Sequence, residues 1–107
     1  MPASLLRDPV LRRFRTAVGN AYGDRLERVV LFGSRARGDH QLDSDYDIAV
    51  FIKGEWDLWD ELGVLAEITT DILSDTDAVI SAKPFVAGSY RTRTALMSEI
   101  RRDGRDL

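Results

Sequence analysis

Asp45 and Asp47 stand one residue apart at the head of an apolar run, within the segment LFGSRARGDHQLDSDYDIAV that covers residues 31–50. Positions i and i+2 of a strand project to the same face, so the two carboxylates form a pair of hard oxygen ligands suited to a divalent cation. Gly33 and Ser34 precede them, separated by the ten residues from Arg35 to Ser44. A glycine there lets backbone approach a ligand closely. A serine opening a helical turn offers free N–H groups and a hydroxyl, the chemistry that holds a phosphate. Carboxylates alone repel a polyphosphate, and Mg²⁺ reconciles the two because it commonly takes one or two carboxylates together with substrate phosphates. Two such ions, roughly 3.5–4 Å apart, support an in-line displacement.

Asp-x-Asp alone is a common polar entry to a strand. The Gly-Ser at fixed spacing and an apolar strand on either side are what raise it to a candidate site.

The rest of the chain must position these groups. Asp8-Pro9 reads as an N-cap with proline at the first helical position, and Val10, Leu11, Phe14, Ala17 and Val18 recur at helical spacing, predicting a helix over Pro9–Asn20. Leu26–Phe32 reads as a first strand and Tyr46–Ile52 as a second, with Ser34 capping a short turn through Arg35–Arg37. Leu58, Trp59, Leu62, Leu65, Ile68, Ile72 and Leu73 form one stripe, so a long helix spans Trp56–Ser74, with Trp59 inward and Trp56 near the edge. Ala78-Val79-Ile80 is a third strand ending by Pro84. A last helix covers Tyr90–Arg102, with Gly104 as its C-cap. The expected fold is α/β: one mixed sheet of at least three strands with flanking helices, a single domain over 1–107.

If the first two strands are antiparallel neighbours, Gly33-Ser34 and the carboxylates share one sheet edge. A helical crossover makes the second and third strands parallel and brings Asp77, at the start of the third, to that edge as well. Asp45, Asp47 and Asp77 are then the candidate acids, the third completing the metal site or accepting a proton from an attacking hydroxyl.

Composition narrows the setting. The 107 residues contain no cysteine, no apolar run of membrane-spanning length and no secretory start, which points to the cytoplasm. The net charge of −3 hides an uneven layout: residues 39–77 hold one lysine and twelve acids, around the proposed clamp. Arg12, Arg13 and Arg15 lack interleaved aromatics, so no direct nucleic-acid contact is expected. His40 and Lys53 read as solvated, and Arg35 is favoured over Arg37 for a phosphate.

The Gly-Ser, ten residues, Asp-x-Asp spacing resembles the signature of nucleotidyltransferases of the DNA polymerase β superfamily. The string GSRARGDHQLDSDYDIAV is similar in particular to the minimal nucleotidyltransferases, small single-domain members that often act as antitoxins beside a helical HEPN-type toxin. The resemblance spans about twenty residues. It implies the nucleotidyltransferase fold and transfer of AMP from ATP to a hydroxyl, with Mg²⁺ required and pyrophosphate released. In the antitoxin members the acceptor is a tyrosine of the toxin, so a hetero-oligomer is the implied assembly. By the same resemblance Gly33 and Ser34 meet the triphosphate, and Asp45 and Asp47 bind metal. Asp77 takes the place of the third carboxylate, with Asp71 and Asp75 as alternatives. Two rivals stand beside this reading: an antitoxin that acts by contact alone, and a nucleotidyltransferase with a small-molecule acceptor. The segment SAKPFVAG has no assigned pattern and is left for the acceptor or partner surface.

Overall fold

Two nearly continuous apolar runs build the centre of the sheet. β1 (Leu26–Phe32) and β2 (Tyr46–Ile52) pair antiparallel, from Leu26 opposite Ile52 to Phe32 opposite Asp47. Both are covered on two faces, which is why neither shows a simple alternation of apolar and polar residues. The computed structural model describes residues 5–107, so residues 1–4 of the expected 1–107 unit lie outside the described residues.

Helices occupy both faces. α1 (Pro9–Tyr22) buries Leu11, Phe14, Val18 and Tyr22, and Asp8 caps it as the Asp-Pro pair predicts, its carboxylate accepting from Val10 N at 2.9 Å. With α3 (Leu58–Thr76) it packs on the face carrying Tyr46, Ile48, Val50 and Ile52. α4 (Ala95–Asp103) covers the opposite face, where Met97 and Ile100 meet Val30, Phe32, Ala49 and Phe51. Strand β3 (Ile80–Val86) runs parallel to β2, and the two-residue β4 (Arg105–Asp106) pairs antiparallel with β1. The order β3-β2-β1-β4 is the mixed α/β sheet expected.

Four local expectations are corrected. The long helix starts at Leu58 rather than Trp56, because Asp57 caps it by accepting from Trp59 N and Asp60 N at 2.8 and 3.3 Å. Its inward line passes through Glu61, Leu65 and Ile72, and Trp59 lies about 200° around the helix from Glu61 at 100° per residue. Trp59 is therefore 78% exposed, whereas Trp56 packs against the core and donates its indole N–H to Ile52 O at 3.2 Å.

The third strand begins at Ile80 and runs through Pro84 to Val86 instead of ending there. It is an edge strand, where a proline's missing N–H is tolerated. The last helix begins at Ala95, capped by Thr94 Oγ1, after a separate 3₁₀ turn over Ser89–Arg91. Gly104 is the C-cap of that helix as expected, its N–H donating to Ile100 O at 2.7 Å, in an extended conformation with φ −71°; a side chain there would strike Ile100 O and Val30. That close approach lets the chain turn into β4, an element too short to carry a periodic signal.

Candidate active site

The end of β1 makes the site. Gly33 follows Phe32 with φ 76° and ψ −159° and turns the chain into α2 (Ser34–Arg37), whose Ala36 and Arg37 amides both donate to Gly33 O at 3.1 Å. Ser34 is the first helical residue rather than the cap, and the turn has no side-chain cap bond. A Cβ built on Gly33 would collide with Asp47 Oδ2. The turn and the second carboxylate are thus in direct contact, although ten residues of loop separate the two motifs in the chain.

Asp47 sits between β1 and β3, opposite Phe32 on one side and Ser81 on the other. It alternates with Tyr46, so its side chain lies on the α4 face with Ala49 and Phe51. Partial burial raises its carboxyl above the ordinary range. Asp45 and Glu99 push the same way, while Lys83 and Arg37 oppose them. Asp45 itself is exposed and immediately precedes β2.

Tyr46 points to the other face and ties three elements together. Its hydroxyl donates to Asp8 Oδ2 at 2.8 Å, and burial and Asp8 push its pKa up to about 12. The Arg35 guanidinium stacks 3.9 Å over the Tyr46 ring and donates to Ser44 O and Leu42 O at 2.9 and 3.1 Å. Arg35, expected at a phosphate, therefore has Nε and one Nη engaged in folding the loop that delivers the carboxylates. Replacing Tyr46 by Phe removes a part-buried bond to a charged acceptor, so stability should fall by about 1–2 kcal/mol. Thermal melting at neutral pH checks this, with little change expected in nucleotide affinity.

Asp77 lies at the junction of α3 and β3. It ends α3 in the left-handed conformation, φ 63°, and residues 77–79 must still cross to the sheet before β3 begins. With Arg35, Asp43, Ser44, Tyr46 and Val79 it lines a cavity of about 500 Å³ on the Tyr46 side, away from the α4 face that carries Asp47. Of the alternatives, Asp75 is paired with Arg13 at 2.7 Å and Asp71 is exposed on α3. Among the described residues no group of three or more His, Cys, Asp or Glu is arranged to hold a metal ion. Asp45 and Asp47 nevertheless suit one Mg²⁺ that shares its remaining positions with phosphate oxygens: both donors are hard, and burial disfavours ionised Asp47 until a cation offsets it.

Lys83 and Glu99 are the groups near Asp47 that the sequence reading missed. Reading β3 through Pro84 would have placed Lys83, since alternation from Ser81 puts Ser81, Lys83 and Phe85 on the α4 face. Glu99 carries no local signal, because its position depends on how α4 packs.

This fold and site define a nucleotidyltransferase, and similarity to known proteins agrees. The family described as Polymerase beta, Nucleotidyltransferase matches residues 20–104. A Methanocaldococcus jannaschii protein named putative protein adenylyltransferase MJ0141 is 39% identical over 44 residues, 41% of this chain and 44% of that protein, so the chain spans less than half of that relative. The crystal structure of a toxin–antitoxin with AMP-PNP shares the fold with TM-score 0.59 at 21% identity, over 87% of this chain and 68% of that one. A Shewanella oneidensis tri-AMPylated HEPN toxin in complex with MNT antitoxin matches with TM-score 0.54 at 17% identity, over 91% and 70%. This chain belongs to the polymerase β nucleotidyltransferase family. Among the described residues no helix is long and apolar enough to cross a membrane.

Proposed function

We propose that this chain transfers AMP from ATP to a hydroxyl of a partner protein, a tyrosine of a helical HEPN-type toxin, and so acts as the antitoxin of a cytoplasmic pair. The observation that carries the reading is the contact of Gly33 with Asp47, which joins a phosphate-binding turn to a carboxylate pair in one site. Similarity to a protein named as an adenylyltransferase supports AMP as the group moved. A fold shared with toxin–antitoxin structures supports a toxin as acceptor.

In the reaction the acceptor oxygen bonds to the α-phosphorus, the α–β phosphoanhydride bond breaks, and pyrophosphate and the hydroxyl proton depart. Mg²⁺ held by Asp45 and Asp47 would neutralise phosphate charge as it develops. Gly33 lets the backbone approach the triphosphate, and the Ser34 hydroxyl, not used as a helix cap, donates to a phosphate oxygen.

Incubating the chain with ATP, Mg²⁺ and its candidate toxin should add the mass of adenylyl groups to the toxin. ATP bound normally but no transfer would overturn this reading. That no group of three such ligands is arranged for a metal among the described residues favours one competitor, neutralisation of the toxin by contact with the site idle. In that case Asp47→Asn would still inhibit the toxin fully.

A further inference from the structure

We infer that Lys83 is a phosphate ligand of this site, holding the β- and γ-phosphates of the nucleoside triphosphate; the inference rests on the nucleotidyltransferase reading above. Parallel register places Ser81 opposite Asp47 and Lys83 opposite Ala49, so the lysine projects to the same face as Asp47, one side-chain repeat further along. That repeat is about 6.6 Å and the strands lie about 4.8 Å apart, a span that a four-carbon stem and its ammonium can bridge.

Its position is where a cation is needed. A nucleoside triphosphate brings several negative charges to a place already holding Asp45 and Asp47, and one divalent ion leaves part of that charge uncompensated. The neighbouring arginines are committed. Arg35 donates to Ser44 O and Leu42 O and stacks on Tyr46, while Arg37 pairs with Asp39 at 3.2 Å and with Asp103 at 3.8 Å. Lys83 is exposed and enters no salt bridge among the described residues. A lysine binds phosphate as a point charge from a flexible stem. As the α–β bond breaks, negative charge gathers on the departing pyrophosphate, where the ammonium stabilises it.

Two titrations of the purified full chain test this, one with Mn²⁺ alone and one with ATP or inorganic pyrophosphate at saturating Mg²⁺. In Lys83→Ala, ATP and pyrophosphate should bind at least about tenfold more weakly, and Lys83→Arg should recover most of the loss. Mn²⁺ alone should bind as well or better, because a cation beside the carboxylates has been removed. A merely structural lysine would instead weaken metal and nucleotide together, and that result overturns the proposal. Unchanged ATP affinity in Lys83→Ala overturns it while leaving the nucleotidyltransferase reading intact. Failure of the unaltered chain to bind ATP with Mg²⁺ brings both down.

Discussion

Asp47→Asn should stop nucleotidyl transfer, with a rate loss on the order of 10³-fold or about 4 kcal/mol of barrier, and at the same time should make the ligand-free chain more stable. Both results follow from one placement. The carboxylate is half-buried against Gly33, and that burial is the main reason its charged form is disfavoured, with Asp45 and Glu99 acting the same way and Lys83 and Arg37 opposing. Asparagine keeps the shape and removes the charge, so the metal loses a ligand while the empty site no longer holds a partly desolvated charge. Since the group is partly solvated, the gain should be on the order of 1 kcal/mol or less.

The pH dependence carries the same sign. The folded chain binds a proton at Asp47 more tightly than the unfolded chain does, so stability falls as pH rises through the window just above the ordinary aspartate range. Melting temperatures across that window should show this fall in the unaltered chain and a flatter profile in Asp47→Asn. Saturating Mg²⁺ should reverse the ranking, because only the unaltered chain gains binding free energy from the ion. A variant that loses stability without metal would show that Asp47 is a structural anchor instead.

What the sequence displayed and what it concealed divide along the range of the interactions involved. β1 and β2 were legible to the residue because each carries a compact apolar run, Val29–Phe32 and Ile48–Ile52, ended by a glycine or a lysine–glycine pair, and Gly33, Ser34, Asp45 and Asp47 lie close along the chain around the turn between them. The start of β3 was misplaced because strand content was assigned to Ala78–Ile80, whereas α3 runs to Thr76 and the pairing begins only at Ile80. A shift of this kind moves a side chain off the sheet edge and changes which neighbours it meets. Pro84 concealed Lys83 in the same way, by suggesting that the strand had ended. The Trp56 and Trp59 exchange shows a third cause. Both fit an apolar stripe drawn by eye, but the Asp57 cap sets where the helix begins, and Glu61, Leu65 and Ile72 set which face is inward. Glu99 depends on the docking of α4, and a nine-residue helix does not announce its rotation about the sheet.

Gly33→Ala should be the most damaging single-methyl change near the site, and Gly63→Ala on α3 should have the opposite sign. At Gly33 two penalties meet. The backbone, at φ 76° and ψ −159°, lies in a region essentially reserved for glycine, which costs about 1–3 kcal/mol for any other residue. The new methyl also collides with the Asp47 carboxylate, which can escape only by leaving its position beside the turn. A loss of about 2–4 kcal/mol is expected, small enough for a domain of ordinary stability to remain folded, with transfer abolished because the metal ligand has moved. Gly63 has no positive φ and nothing within 4 Å of its added Cβ, so alanine should raise stability by about 0.5–1 kcal/mol through helix propensity alone. Chemical denaturation of the two variants checks the contrast. The two penalties at Gly33 separate in a double-mutant cycle with Asp47→Ala: shortening the aspartate removes the collision but not the backbone strain, so Gly33→Ala should cost less in that background yet still cost about 1 kcal/mol or more. An undiminished cost would mean that turn and carboxylate are not in contact, and the joined site on which nucleotidyl transfer depends would be lost with it.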